Sequence, residues 1–62
     1  MTEMTEERAR EILGDAIQSD GSLYRIGGYI EWLTFRKSVV LDSEFTAEEL
    51  KAIAFWMEKH GR

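Results

Sequence analysis

Leu23-Tyr-Arg-Ile-Gly-Gly-Tyr-Ile-Glu-Trp-Leu-Thr-Phe-Arg-Lys37 is the stretch on which the fold turns, because its residues fit two incompatible periods. Wound as a helix, it lines Leu23, Ile26, Tyr29, Ile30 and Leu33 along one face, with Tyr24, Glu31, Trp32 and Phe35 on the other. Gly27-Gly28 opposes this reading at about 2 kcal/mol of lost helix propensity, and the Tyr, Ile, Trp, Thr and Phe residues favour strands. The competing structure is a hairpin over residues 29–41: a strand from Tyr29 to Phe35, a turn at Arg36-Lys37 and a return through Val39-Val40-Leu41. Neither the odd nor the even positions of 29–35 are polar as a set, so alternation is poor. The helical spacing is cleaner, and a helix is the expectation, its glycines permitting close approach of a second helix.

The flanking segments read more simply. Thr46 with Glu49 three residues on is a capping box, and Phe45 with Leu50 can form the accompanying hydrophobic staple. Leu50, Ile53, Ala54 and Met57 then repeat at helical spacing as one apolar face, and Lys59-His60-Gly61 ends the helix with cations near its exposed carbonyls. Thr5 to Ser19 reads as another helix, capped by Thr5, with Ala9, Ile12, Leu13, Ala16 and Ile17 buried. Gly14 falls on its polar side and weakens it by about 1 kcal/mol. Ser19-Asp20-Gly21-Ser22 is a loop. Ser38 to Glu44 is extended, and its Val39-Val40-Leu41 backbone needs either a pairing partner, which another chain could supply, or a place at the surface. The expected architecture is all-α, three helices with a short extended segment before the last; the alternative is α+β with a hairpin over residues 29–41. Residues 1–62 form a single domain with residues 1–4 frayed.

Sixty-two residues without cysteine must rely on apolar packing, or on self-association, for stability. The 44% hydrophobic content excludes a disordered chain. The net charge of −4 argues against phosphate-backbone binding, although residues 23–41 hold Arg25, Arg36 and Lys37 against Glu31 alone. No run approaches the roughly 20 apolar residues of a membrane span. The acidic start Met-Thr-Glu-Met-Thr-Glu-Glu lacks a signal peptide's character, so a cytoplasmic location is expected.

Candidate chemistry is sparse. His60, the one histidine, sits beside Gly61 near the chain end and has neither a second histidine nor a cysteine to make a zinc site or a catalytic triad. Asp42 to Leu50 looks like half of a calcium loop, but counting back from Glu49 puts Val40 and Ser43 where a ligand and a glycine belong. Gly27-Gly28 lacks the spacing of a phosphate-binding loop. No enzyme, cofactor or metal is expected.

The aromatic residues are the more informative set. Tyr24, Trp32 and Phe35 oppose the Leu23–Leu33 stripe, and Phe55 lies on a face otherwise marked by Lys51 and Lys59. With Arg36 they define an expected interaction surface: Tyr24, Trp32, Phe35, Arg36 and Phe55. Gly28-Tyr29, Trp32, Leu41-Asp42, Phe45-Thr46, Glu49-Leu50, Ile53 and Trp56-Met57 form a pattern over the C-terminal two-thirds that resembles small uncharacterised proteins encoded by bacteria and their phages. The resemblance implies a compact accessory protein acting on a host or phage partner and transfers no site residues. The expected role is a non-enzymatic protein–protein interaction module, a homodimer formed through the aromatic surface. The alternative is a small DNA-binding regulator using Arg25, Arg36 and Lys37, and salt-dependent duplex binding would mark it.

Overall fold

The computed structural model describes residues 3–61. Its architecture is α+β, and the three-helix expectation is overturned. Helix α1, Glu6–Leu13, is followed by a 3-10 turn at Gly14–Ala16, then strands β1, Leu23–Arg25, β2, Tyr29–Trp32, and β3, Val40–Asp42, and finally helix α2, Ala47–His60. The strands form one antiparallel sheet in the order β1-β2-β3.

The reason lies in the segment that both periods fitted. Gly28 adopts φ +67°, a left-handed conformation that glycine takes freely, and closes the turn Ile26–Gly28 between β1 and β2. Arg25 Nε donates to the Gly28 carbonyl at 3.0 Å and ties the turn to its strand. Gly28, which weakens a helix, is thus what closes the hairpin. Leu23 pairs with Trp32 and Arg25 with Ile30, so β2 is flanked on both sides and buries Ile30 and Trp32 while Tyr29 and Glu31 turn away. The hairpin alternative also needed correcting. Residues 29–31 do pair with 40–42, but the strand stops at Trp32, whose partner is Leu23 of β1, a strand that neither the helix nor the hairpin includes.

Both helices differ in detail from the sequence expectation. Thr5 Oγ1 accepts from the Arg8 amide at 3.1 Å and starts α1, but Gly14, at φ +53°, ends it at Leu13, six residues before Ser19. The capping box of α2 is complete: Thr46 Oγ1 accepts from the Glu49 amide at 3.1 Å, and the Glu49 carboxylate accepts from the Thr46 amide at 2.9 Å. The buried face of α2, however, is Ala52, Ile53 and Trp56, rotated from the expected Leu50–Ile53–Ala54–Met57 stripe; Leu50 and Ala54 are exposed. Two bulky indoles accompany that rotation: Trp32 and Trp56 are the largest fully buried side chains of the core.

The core is a single cluster: Ala9, Leu13 and Ala16 from the N-terminal segment, Leu23, Ile30 and Trp32 from the sheet, and Ala52, Ile53 and Trp56 from α2. Met4 packs against it and Glu3 is exposed, while residues 1 and 2 of the segment expected to fray lie outside the described residues. The Trp32 Nε1–H donates to the Arg36 carbonyl at 2.9 Å and the Trp56 Nε1–H to the Gly21 carbonyl at 2.8 Å, so each buried indole keeps its polar atom satisfied. Among the described residues no helix is long and apolar enough to cross a membrane.

Candidate interaction surface

One face of the sheet packs on the core, and alternation puts Tyr24, Tyr29, Glu31, Val40 and Asp42 on the other. That second face is open to water: Tyr24 is 44% and Val40 47% exposed. Tyr24 and Tyr29 meet edge to face, ring centroids 6.1 Å apart, a stable geometry for two aromatic quadrupoles. The Tyr29 hydroxyl donates to Glu31 Oε1, and Glu31 raises the Tyr29 pKa above the ordinary phenol value, with burial and the negative charge of Glu31 and Asp42 adding to the effect. Two rings and two carboxylates therefore lie side by side on an uncovered sheet face. Ile26, 76% exposed at the tip of the β1–β2 turn, extends the apolar area at one end.

The five residues singled out from the sequence do not gather into one surface. Trp32 is 1% exposed and belongs to the core, because in a strand it shares the inward face with Ile30; it cannot touch a partner in the folded chain. Phe55 is half-buried and packs against the core, where the rotation of α2 carries it. Phe35 and Arg36 are exposed together in the β2–β3 connection, the guanidinium 5.9 Å from the ring centroid. Tyr24 alone is on the open sheet face. Tyr29, Glu31, Val40 and Asp42, its companions there, were missed, and only the strand register could have found them. The three basic residues of the DNA-binding alternative are split as well. Arg25 pairs with Ile30 at the turn end of β2 and lies 5.9 Å from the Phe45 ring, whereas Arg36 and Lys37 follow the opposite end of that strand.

Two shallow depressions complete the surface. One, of about 410 Å³, lies between α2 and the β2–β3 connection, with Ala54 and Met57 as its floor and Arg36, Lys37 and Glu58 at its rim. The other, of about 480 Å³, is lined by Arg10, Gln18, Asp20, Trp56 and His60. There His60 stacks on Trp56 at 4.0 Å, and the Arg10 guanidinium lies 5.0 Å from the indole centroid. Ser22 in the adjoining loop donates its hydroxyl to Asp20 at 2.6 Å, which holds the Asp20 carboxyl below the usual carboxylate range. The serine proton is thus directed to a carboxylate, and the pair closes the loop preceding β1. Among the described residues no three His, Cys, Asp or Glu side chains come together as a metal site would need. The chain matches no family model, no curated protein and no solved structure.

Proposed function

We propose that the protein is a non-enzymatic interaction module whose open sheet face takes a basic, extended segment of a partner protein. The observation that carries this reading is the Tyr24–Tyr29 pair set between the carboxylates of Glu31 and Asp42. A lysine or arginine side chain laid on those rings gains a cation–π attraction of about 0.5–1 kcal/mol at an exposed site. The adjacent carboxylates add a charge-assisted hydrogen bond, and Val40 and Ile26 offer apolar contact to the aliphatic part of the same segment. Each contribution is small, so the affinity for a single short peptide is weak and salt-sensitive.

The probe is a short peptide of alternating lysine and valine, titrated into the isotopically labelled protein at low salt and followed by amide chemical shifts. Shifts concentrated on Tyr24, Tyr29, Glu31 and Val40, lost in a Tyr24→Ser/Glu31→Gln variant, support the reading. Equal response to an alternating glutamate–valine peptide, or shifts confined to Phe35–Lys37, would defeat it.

A further inference from the structure

A sheet of order β1-β2-β3 has two edges, and the chain treats them differently. The β1 edge is closed from within. Ile17 bridges to Leu23, the Gln18 amide donates to the Ser22 carbonyl at 2.8 Å, and the Gln18 side-chain amide donates to the Tyr24 carbonyl at 3.1 Å. Nothing comparable covers β3. Among the described residues, no hydrogen bond from outside the sheet reaches the backbone of residues 38–44, and Ser38, Val40, Asp42, Ser43 and Glu44 are all exposed. An uncovered edge of unpaired amides and carbonyls is a template for another strand.

The charges along this edge say which strand. The segment runs Arg36-Lys37-Ser38-Val39-Val40-Leu41-Asp42-Ser43-Glu44, basic at its start, apolar in the middle and acidic at its end. None of Arg36, Lys37, Asp42 and Glu44 forms an ion pair among the described residues. A sequence of that polarity is complementary to itself when paired antiparallel, since a two-fold axis near Val40–Leu41 sets the basic end of each copy against the acidic end of the other. A parallel pairing would oppose like charges instead.

We infer that β3 is the pairing edge of an antiparallel homodimer, in which two copies join their sheets into one of six strands. The pairing goes beyond the basic-peptide reading and rests on it only in taking the chain as a protein-binding module. Joining the sheets sets two Tyr24–Tyr29 faces on the same side of one continuous surface. So short a strand buries far less than the roughly 1,200 Å² at the low end of standard interfaces, which makes the dimer weak, with dissociation on the order of 0.1–1 mM.

Charge reversal tests this on the full chain, because all four charged residues are exposed and their replacement leaves the core untouched. Sedimentation velocity from micromolar to millimolar concentration is expected to show a reversible dimer of the wild type. Arg36→Glu with Lys37→Glu, and separately Asp42→Lys with Glu44→Lys, should each weaken it at least tenfold. An equimolar mixture of the two variants should restore it, with amide exchange at residues 39–43 slowed as in the concentrated wild type. A wild type that stays monomeric at millimolar concentration, variants that dimerise like the wild type, or a mixture that remains monomeric overturns the inference. The Arg36→Glu/Lys37→Glu variant leaves Tyr24, Tyr29, Glu31 and Asp42 intact. Its retained response to the lysine–valine peptide would separate failure of the dimer from failure of the sheet-face reading.

Discussion

Replacing Trp32 with alanine distinguishes the strand from the helix more sharply than any other single change. A helix over 23–37 would turn Trp32 to the surface beside Phe35; the sheet buries it to 1% exposure between Leu23, its cross-strand partner, and the core face of α2. Truncating a buried tryptophan costs about 3–5 kcal/mol, the lost transfer energy plus the cavity left behind. The Arg36 carbonyl loses its indole donor, but it lies on an exposed residue where water replaces the bond at little cost. A chain of this length has about 3–9 kcal/mol of stability in total, at about 0.05–0.15 kcal/mol per residue. The loss is thus about a third of the total or more, and at the low end of that range Trp32→Ala is unfolded without denaturant. Urea denaturation followed by far-ultraviolet circular dichroism is the assay. With a slope of about 1 kcal/mol per molar urea, the midpoint should fall by about 3–5 M. Phe35→Ala is the control, since a ring 69% exposed should change stability by no more than about 0.5 kcal/mol. A Trp32→Ala midpoint within 1 M of the wild type, or a Phe35→Ala loss as large as that of Trp32→Ala, would refute the assignment of Trp32 to the core.

The glycine pair and the α2 cap give the remaining predictions. Gly28→Ala forces a side chain into the left-handed region and brings its Cβ to 3.0 Å from Arg25 Nη2, so a loss of about 1–2 kcal/mol is expected in the same urea assay. Gly27→Ala meets open space at an ordinary φ and should be neutral or slightly stabilising; a helix would gain from both changes. The amide of Thr46 holds the Glu49 carboxyl below its usual pKa, so the folded state binds that proton less readily than the unfolded one. Its contribution is complete above the unfolded pKa and disappears as pH falls through the folded one. Glu49→Gln should therefore melt below the wild type at pH 7, by a margin that shrinks as pH falls below the ordinary carboxylate value of 4.5; a gap that widens on acidification contradicts this. Thr46→Ala should cost about 1 kcal/mol at neutral pH, read from the urea midpoint.

How much of this was legible in the sequence follows from where the signals are local. The capping box of α2 and the Thr5 cap of α1 were readable because each rests on residues three apart whose hydrogen bonds close within one turn. The β2–β3 pairing was legible only as the hairpin alternative and β1 not at all, because the registers join residues up to 13 apart and no short window contains them. Gly14 weakens the expected helix in the sequence yet in the structure ends α1, since nothing in its immediate neighbours distinguishes a glycine within a helix from one just past it.

The misreading of β2 has a more specific cause, and it bears on what the protein does. A strand with one face in the core is recognised by polar residues on the other, and residues 29–32 fail that test because Tyr29 occupies the outward face. Tyr24 does the same on β1 and Val40 on β3. Aromatic and β-branched side chains at those positions suit a strand, but they add exposed apolar area and erase the polar alternation. On the outer sheet face Tyr24 and Tyr29 pack edge to face on each other, and Tyr24 and Val40 remain 44% and 47% exposed. The residues that hide the strand from its period are thus the ones that line the candidate surface, and local rules fail there first.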